Sequence, residues 1–173
     1  MATLILITSG TFSTTTQTVT FTSIPQTYKH LLIKGTLHSN RAVGNDGGFS
    51  VRFNDATTGY DYQQFYWTGN TINAYGGTAY SETSISSVGT SQDTQNASLF
   101  SHYEFTIPNY ANASRYKSTV GFAGNVPPNT NGAAGAFSGF WQNTNAITKI
   151  TIQTNAGNSS FVANSTYYLY GIE

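Results

Sequence analysis

Three histidines and seven acidic side chains are the residues of this chain that could carry out acid–base or metal chemistry. A hydrolase triad brings a serine, a histidine and an acid together, but the sequence contains no Gly-x-Ser-x-Gly nucleophile motif. His30 and His38 are eight positions apart on one predicted strand, too far to share a metal ion, and His102 is expected to be exposed on another strand. We therefore expect structural roles for the histidines and predict that the protein is not an enzyme.

Two carboxylates, Asp55 and Asp61, flank the short segment 56–60. Two acids on a tight loop could cleave a glycosidic bond, or they could bind a cation together with Asn54. The same sequence is typical of a turn, because Asn and Asp side chains bond to nearby backbone and Gly59 tolerates a positive φ. The turn is the favoured interpretation. A glycan-degrading enzyme and a cation site stay open as alternatives, and no cofactor is predicted.

Aromatic side chains are concentrated between residues 60 and 80 and recur near residue 141. Tyrosine and tryptophan combine a flat apolar face with a polar edge, so they suit a core, a protein interface or stacking on a sugar ring. Core packing is the first interpretation, an interface the second and a sugar site the third, because this segment has few charged partners for a sugar. The candidate contact residues are Tyr60, Tyr62, Tyr66, Trp67, Tyr75, Tyr80 and Trp141.

The composition restricts the classes of partner and of fold. The chain has 173 residues, 8% of them charged, with zero formal net charge and no cysteine. Zero net charge gives no field that would hold phosphate backbones or anionic lipids, so neither nucleic acid nor membrane is expected as a partner. The absence of cysteine excludes disulfides and thiolate metal sites. The length predicts a single domain over residues 1–173.

The elements that must position these residues are strands. Helical periodicity is almost absent, whereas Thr, Val, Ile, Phe and Tyr alternate with period two between clusters of Gly and Asn. Roughly ten or eleven strands are predicted, which favours an all-β, antiparallel two-sheet β-sandwich, jelly-roll-like in form. Stretches rich in Gly, Asn and Thr are predicted as long loops at 39–48, 69–83 and 125–135. The clearest strands are 31–37, 49–53, 99–107, 116–123, 147–154 and 166–172.

Several different packing and turn motifs together span nearly the whole chain. They are Thr18–Pro25 with Tyr28 and Leu31–Ile33, then Phe105–Tyr110 and Ala146–Ile152, and finally Phe161–Ala163 and Tyr168–Ile172. In this layout the chain resembles a diffuse group of small all-β virion structural proteins encoded by tailed bacteriophages, the capsid decoration and tail-fibre-like group. The motifs concern packing, so the resemblance implies a fold and a virion context and supplies no catalytic residues.

The resemblance implies a non-enzymatic protein on the exterior of the virion. Strand signals run almost from Met1 to Glu173, so we expect a self-contained building block without a fibre segment, which favours a capsid decoration (cement) protein. The alternative is a tail-fibre or appendage subunit that attaches to a host glycan. In either role, the expected partners of the chain are other virion proteins of the capsid or tail and further copies of itself, as a homo-oligomer such as a trimer.

Overall fold

The structure is a computed structural model that describes residues 3–173 apart from 42–47, 69–70, 83, 88–90, 93–97, 125–132 and 156–158. Within these ranges the chain forms thirteen strands and no helix, so no helix of the described residues is long and apolar enough to cross a membrane. The strands are β1 Leu4–Thr11, β2 Thr18–Phe21, β3 His30–Ser39, β4 Phe49–Phe53, β5 Tyr60–Thr68, β6 Thr71–Glu82, β7 Ile85–Ser86, β8 Ser91–Gln92, β9 Ser101–Pro108, β10 Lys117–Gly124, β11 Ala133–Trp141, β12 Ile150–Thr154 and β13 Thr166–Ile172.

The strands form two antiparallel sheets, and the predicted all-β two-sheet sandwich is confirmed. The large sheet has the order β1-β13-β3-β9-β10-β11-β5-β6, and β8 pairs in parallel with the end of β3. The small sheet has the order β2-β12-β4-β7. The chain crosses repeatedly from one sheet to the other, as it does in a jelly roll. The small sheet covers one face of the large sheet, and we call the opposite face of the large sheet the outer face.

The core lies between the sheets and follows the alternation in the sequence. In β9 the side chains of Tyr103, Phe105 and Ile107 are buried, as predicted from their period of two. Phe49, from the small sheet, packs its ring against Tyr103 at 5.3 Å and against Phe137 of β11 at 5.8 Å, both edge to face. This aromatic contact joins the two layers. The buried apolar side chains of the small sheet are Val19, Phe21, Phe49, Val51, Phe53, Ile85, Ile150 and Ile152.

The prediction of a long loop over residues 69–83 is wrong, because β6 occupies most of this stretch. β5 and β6 pair antiparallel from Thr68 opposite Thr71. The composition of Gly, Asn and Thr hid the strand, because β6 is an edge strand and edge strands bury few side chains.

Candidate functional site

The alternation of β5 divides the predicted aromatic contact residues between the two faces of the large sheet. Tyr60 and Tyr62 point towards the small sheet and are buried, and Trp141, opposite Tyr60 on β11, is buried as well. Tyr60 and Trp141 stack at 6.0 Å with an interplanar angle of 16°. Buried rings offer no face to a partner. For these three residues the contact prediction is corrected to core packing, the first of the interpretations considered above.

The hydroxyl of Tyr60 is integrated into the backbone of β4. It accepts a hydrogen bond from the Phe53 N–H at 2.8 Å and donates one to the Phe53 carbonyl oxygen at 3.2 Å. Burial raises the pKa of Tyr60 to about 12, and the hydrogen bond to Phe53 opposes the shift only in part. Tyr60 therefore connects the end of β4 to the large sheet as a neutral phenol.

The other predicted aromatic residues are placed differently. Trp67 is 44% exposed on the outer face, and Tyr66, on the inner face of β5, is half-buried. Tyr75 of β6 is exposed and packs its ring against Tyr62 at 6.3 Å. Tyr80 is in β6, but its side chain lies outside the described part of the chain. Of the six candidates whose side chains the structure describes, Trp67 and Tyr75 present the most surface to a partner.

Apolar side chains cluster around Trp67 on the outer face. Strand pairing places Phe122 of β10 opposite Ala136 of β11, and Ala136 opposite Phe65 of β5. Trp67 pairs with Ile72 of β6, and Phe65 packs against Trp67 at 5.5 Å. We call this cluster the outer-face patch. Its members are Phe65, Trp67, Ile72, Val120 and Phe122, and their side chains are between 44% and 66% exposed.

A groove of about 530 Å³ runs through the patch. Its floor is made of the small residues Ala134 and Ala136 of β11, and its walls are Phe122 on one side and Phe65 and Trp67 on the other. His102 lies at the groove, next to Gly124 in the pairing of β9 with β10. The lining is therefore almost entirely apolar, which suits another apolar surface better than a polar ligand.

Sequence reasoning missed the contribution of β10 to the patch. In Lys117–Gly124 the more apolar residues, Val120 and Phe122, face solvent, while Lys117 and Thr119 are buried. The usual rule that apolar residues face the core would give the opposite orientation. The signal that could have found the patch is Phe65, which alternates with the buried Tyr62 and Gln64 and therefore belongs on the other face of β5.

Lys117 can be buried because backbone oxygens satisfy all three donors of its ammonium. Its Nζ donates to the carbonyl oxygens of Asn112, Arg115 and Thr144 at 2.7, 2.7 and 2.9 Å. The side chain is 1% exposed, and burial lowers its pKa. Lys117 therefore holds the 112–115 turn and the segment after β11 together, and this is a structural role.

The histidines make local hydrogen bonds to backbone. His38 is buried, and its Nδ1 lies 2.7 Å from the Leu99 carbonyl oxygen, which can only accept, so this nitrogen carries the proton. The Nδ1 of His30 accepts a hydrogen bond from the Asn109 N–H at 3.1 Å. His102 is exposed, as predicted. These contacts orient loops next to β3 and β9.

Asp55 lies in a turn that the residues just before β12 hold in place. Asn54 and Asp55 have φ values of 51° and 59°, and Gly59 has a φ of 85°. The amide oxygen of Asn54 accepts from the N–H groups of Thr148 and Lys149 at 2.9 and 3.1 Å, and Asp55 pairs with the Lys149 ammonium at 2.8 Å. Turn chemistry thus accounts for this motif. The other carboxylate of the pair, Asp61, is on β5 opposite Phe140.

Metal ligands do not converge in the part of the chain that the structure describes. Within those ranges no three His, Asp or Glu side chains lie together as a metal site would require. The candidate site that the exposed apolar side chains indicate is a surface, the outer-face patch with its groove. The chain matches no protein-family model, no curated protein and no solved structure.

Proposed function

We propose that the chain is a non-enzymatic structural protein on the exterior of a tailed-phage virion, and specifically a capsid decoration protein. The observation that carries this proposal is the outer-face patch, which exposes five large apolar side chains on one side of a sandwich whose core is already filled. Contiguous apolar surface of this kind is typical of protein–protein contact sites. The virion context comes from the resemblance in the packing motifs described above.

The charge distribution supports a role in contacts between proteins. Only 8% of the residues are charged and the formal net charge is zero. A subunit that is held on a capsid by shape-fitted, uncharged contacts buries few charges, and each buried charge would need a partner. Its partners in this proposal are other virion proteins and further copies of the chain.

The proposal is tested on purified particles of the phage that encodes this chain. We expect quantitative mass spectrometry to find the chain in washed virions at a copy number that is a fixed fraction of the major capsid protein. Fixed stoichiometry to a tail protein instead would support the appendage alternative below. Absence of the chain from purified virions would contradict both roles.

A tail-fibre or appendage subunit that binds a host glycan is the second candidate, and one observation favours it. Trp67 is 44% exposed, and its indole forms a wall of the groove, where a sugar ring could stack. Binding on a glycan array that is lost in Trp67→Ala and kept in Tyr75→Ala, with both variants folded, would support this function. The absence of binding across the array would leave decoration as the proposal.

A further inference from the structure

The outer-face patch supplies both parts of a self-complementary contact. Phe122 and Phe65 are in register across Ala136, two strand spacings apart, which is about 9.5 Å. Phe122 on β10, and Phe65 with Trp67 on β5, stand above the sheet as two ridges, and the alanine floor between them is a groove one strand wide. A second copy, turned by a two-fold rotation, can place its Phe122 ridge over this floor while its own floor receives the first copy's ridge.

The area of the face is adequate for a stable contact. β10, β11, β5 and β6 are neighbours in the sheet and contain between eight and twelve residues each. Four strands about 4.8 Å apart, each about eight residues long, cover roughly 500 Å² in projection. The accessible area of a corrugated surface is larger than its projection. The accessible area of this four-strand face therefore comes close to the ~800 Å² that each partner buries in an interface of standard size.

The charges favour a copy of the same chain as the occupant. The five patch side chains are uncharged, and the chain has zero formal net charge, so two copies meet without electrostatic repulsion. A glycan would need hydrogen-bonding partners, and His102 is the one polar side chain among the residues that line the groove in the described part of the chain. The apolar, uncharged patch matches its own chemistry, and Asp61 lies on the same face of β5 but outside the patch.

We infer that the outer face of β10, β11, β5 and β6 is a two-fold dimer interface between two copies of this chain. The inference rests on the proposed contact role and adds the partner and the symmetry. In the dimer, Val120 and Phe122 of each copy become buried against the partner, and the two large sheets pack face to face at about 10 Å. A trimer uses a heterologous contact instead, so it is a distinct outcome.

Sedimentation velocity of the full chain over a range of concentrations tests the interface. We expect a monomer–dimer equilibrium for the native protein and at least a tenfold weaker dimer for Val120→Glu and for Phe122→Glu. Leu6→Glu is the matched control, because Leu6 and Val120 are both 53% exposed on the outer face but Leu6 is on β1, at the far edge. The control should dimerise like the native chain.

A single cysteine gives a second measurement that does not depend on weakening the contact. The chain has no cysteine, so Ala136→Cys introduces the one thiol, in the groove floor at the centre of the patch. In the dimer the second copy's Phe122 covers this position, so we expect the thiol to react more slowly with a water-soluble maleimide as the protein concentration rises and the dimer forms. Leu6→Cys should react at a rate that does not change with protein concentration.

Three results would overturn the inference. They are a native protein that stays monomeric at about 100 µM, a dimer that both glutamate variants leave intact, and a trimer in place of a dimer. A monomeric protein that is nevertheless present in virions would refute the dimer and leave the proposed function standing. Absence from virions would refute that function whatever the oligomeric state. Circular dichroism of each variant confirms that the sandwich is folded.

Discussion

At the residue scale, Lys117 shows how backbone oxygens can accommodate a buried charge. Three carbonyl oxygens accept from its ammonium, so the group is hydrogen-bonded although it is out of contact with water. Removing it would leave these oxygens without their donor and the surrounding turn without its connection to residue 144. The position of Lys117 also fixes which side of β10 faces the core, because Val120 and Phe122 then face outwards.

We expect Lys117→Met to lower the free energy of unfolding by about 2–4 kcal/mol, since several hydrogen bonds to a charged group are lost. Lys149→Met is the matched control, because its ammonium pairs with the exposed Asp55 and surface pairs contribute about 0–1 kcal/mol. Urea denaturation of the two variants and the native protein measures both changes. Equal losses in the two variants would contradict a structural role specific to Lys117.

The phenol of Tyr60 makes stability dependent on alkaline pH. Its pKa is raised from 10.0 to about 12 in the folded protein, so the unfolded chain loses this proton at a lower pH than the folded chain. The contribution is complete below about pH 10 and is lost as the pH rises towards about 12. Burial also raises the pKa values of Tyr103 and Tyr110, and these residues act in the same direction.

We expect Tyr60 alone to account for about 1 kcal/mol of the stability lost between about pH 9 and about pH 11. Tyr60→Phe should reduce the pH-dependent loss by this amount, while at neutral pH it costs about 1 kcal/mol for the two bonds to Phe53. Urea denaturation at the two pH values gives the difference. A variant whose pH-dependent loss equals that of the native protein would contradict a buried phenol.

At the element scale, β7 of the small sheet packs directly on β11 of the large sheet. A Cβ atom at Gly139 would lie 2.3 Å from Cγ2 of Ile85, which is fully buried between the sheets. The glycine is therefore needed for a close approach, because Ile85 has no free space into which it could move.

We expect Gly139→Ala to destabilise the protein by about 1–3 kcal/mol through overpacking. Ser138→Ala is the control, since Ser138 directly precedes Gly139 in β11 and its side chain is exposed on the outer face. Thermal unfolding of both variants should show a lower melting temperature for the glycine variant alone. A neutral Gly139→Ala would mean that the layers are farther apart than described.

The buried side chains could be predicted in strands where apolar and polar residues alternate regularly. They could not be predicted in strands where contacts with other segments determine which face is buried. β9 and β12 follow the period of two in the sequence, and their buried side chains are the expected ones. β10 has the opposite orientation, because the carbonyl oxygens of Asn112, Arg115 and Thr144 satisfy the buried Lys117, and a period of two does not indicate such partners. β6 was hidden by its Gly- and Asn-rich composition, since an edge strand needs few buried side chains.

At the scale of the whole molecule, the architecture followed from the strand number and the alternation, whereas the candidate site did not. Packing two sheets face to face is the simplest way to bury the apolar faces of so many strands. The outer-face patch depends on the β5–β6 pair lying beside the β10–β11 pair, although the two pairs are far apart in the sequence. A single sequence contains no direct signal for that order, so Phe65 and Phe122 could not be brought together in advance.

The central claim is that this sandwich acts through a contact surface on the outer face of its large sheet. Cryo-electron microscopy of the intact phage particle tests it most directly. We predict density for the chain on the virion exterior, with Phe65, Trp67 and Phe122 buried against a neighbouring protein subunit. A virion map in which the chain is bound with these three side chains facing solvent would contradict the claim.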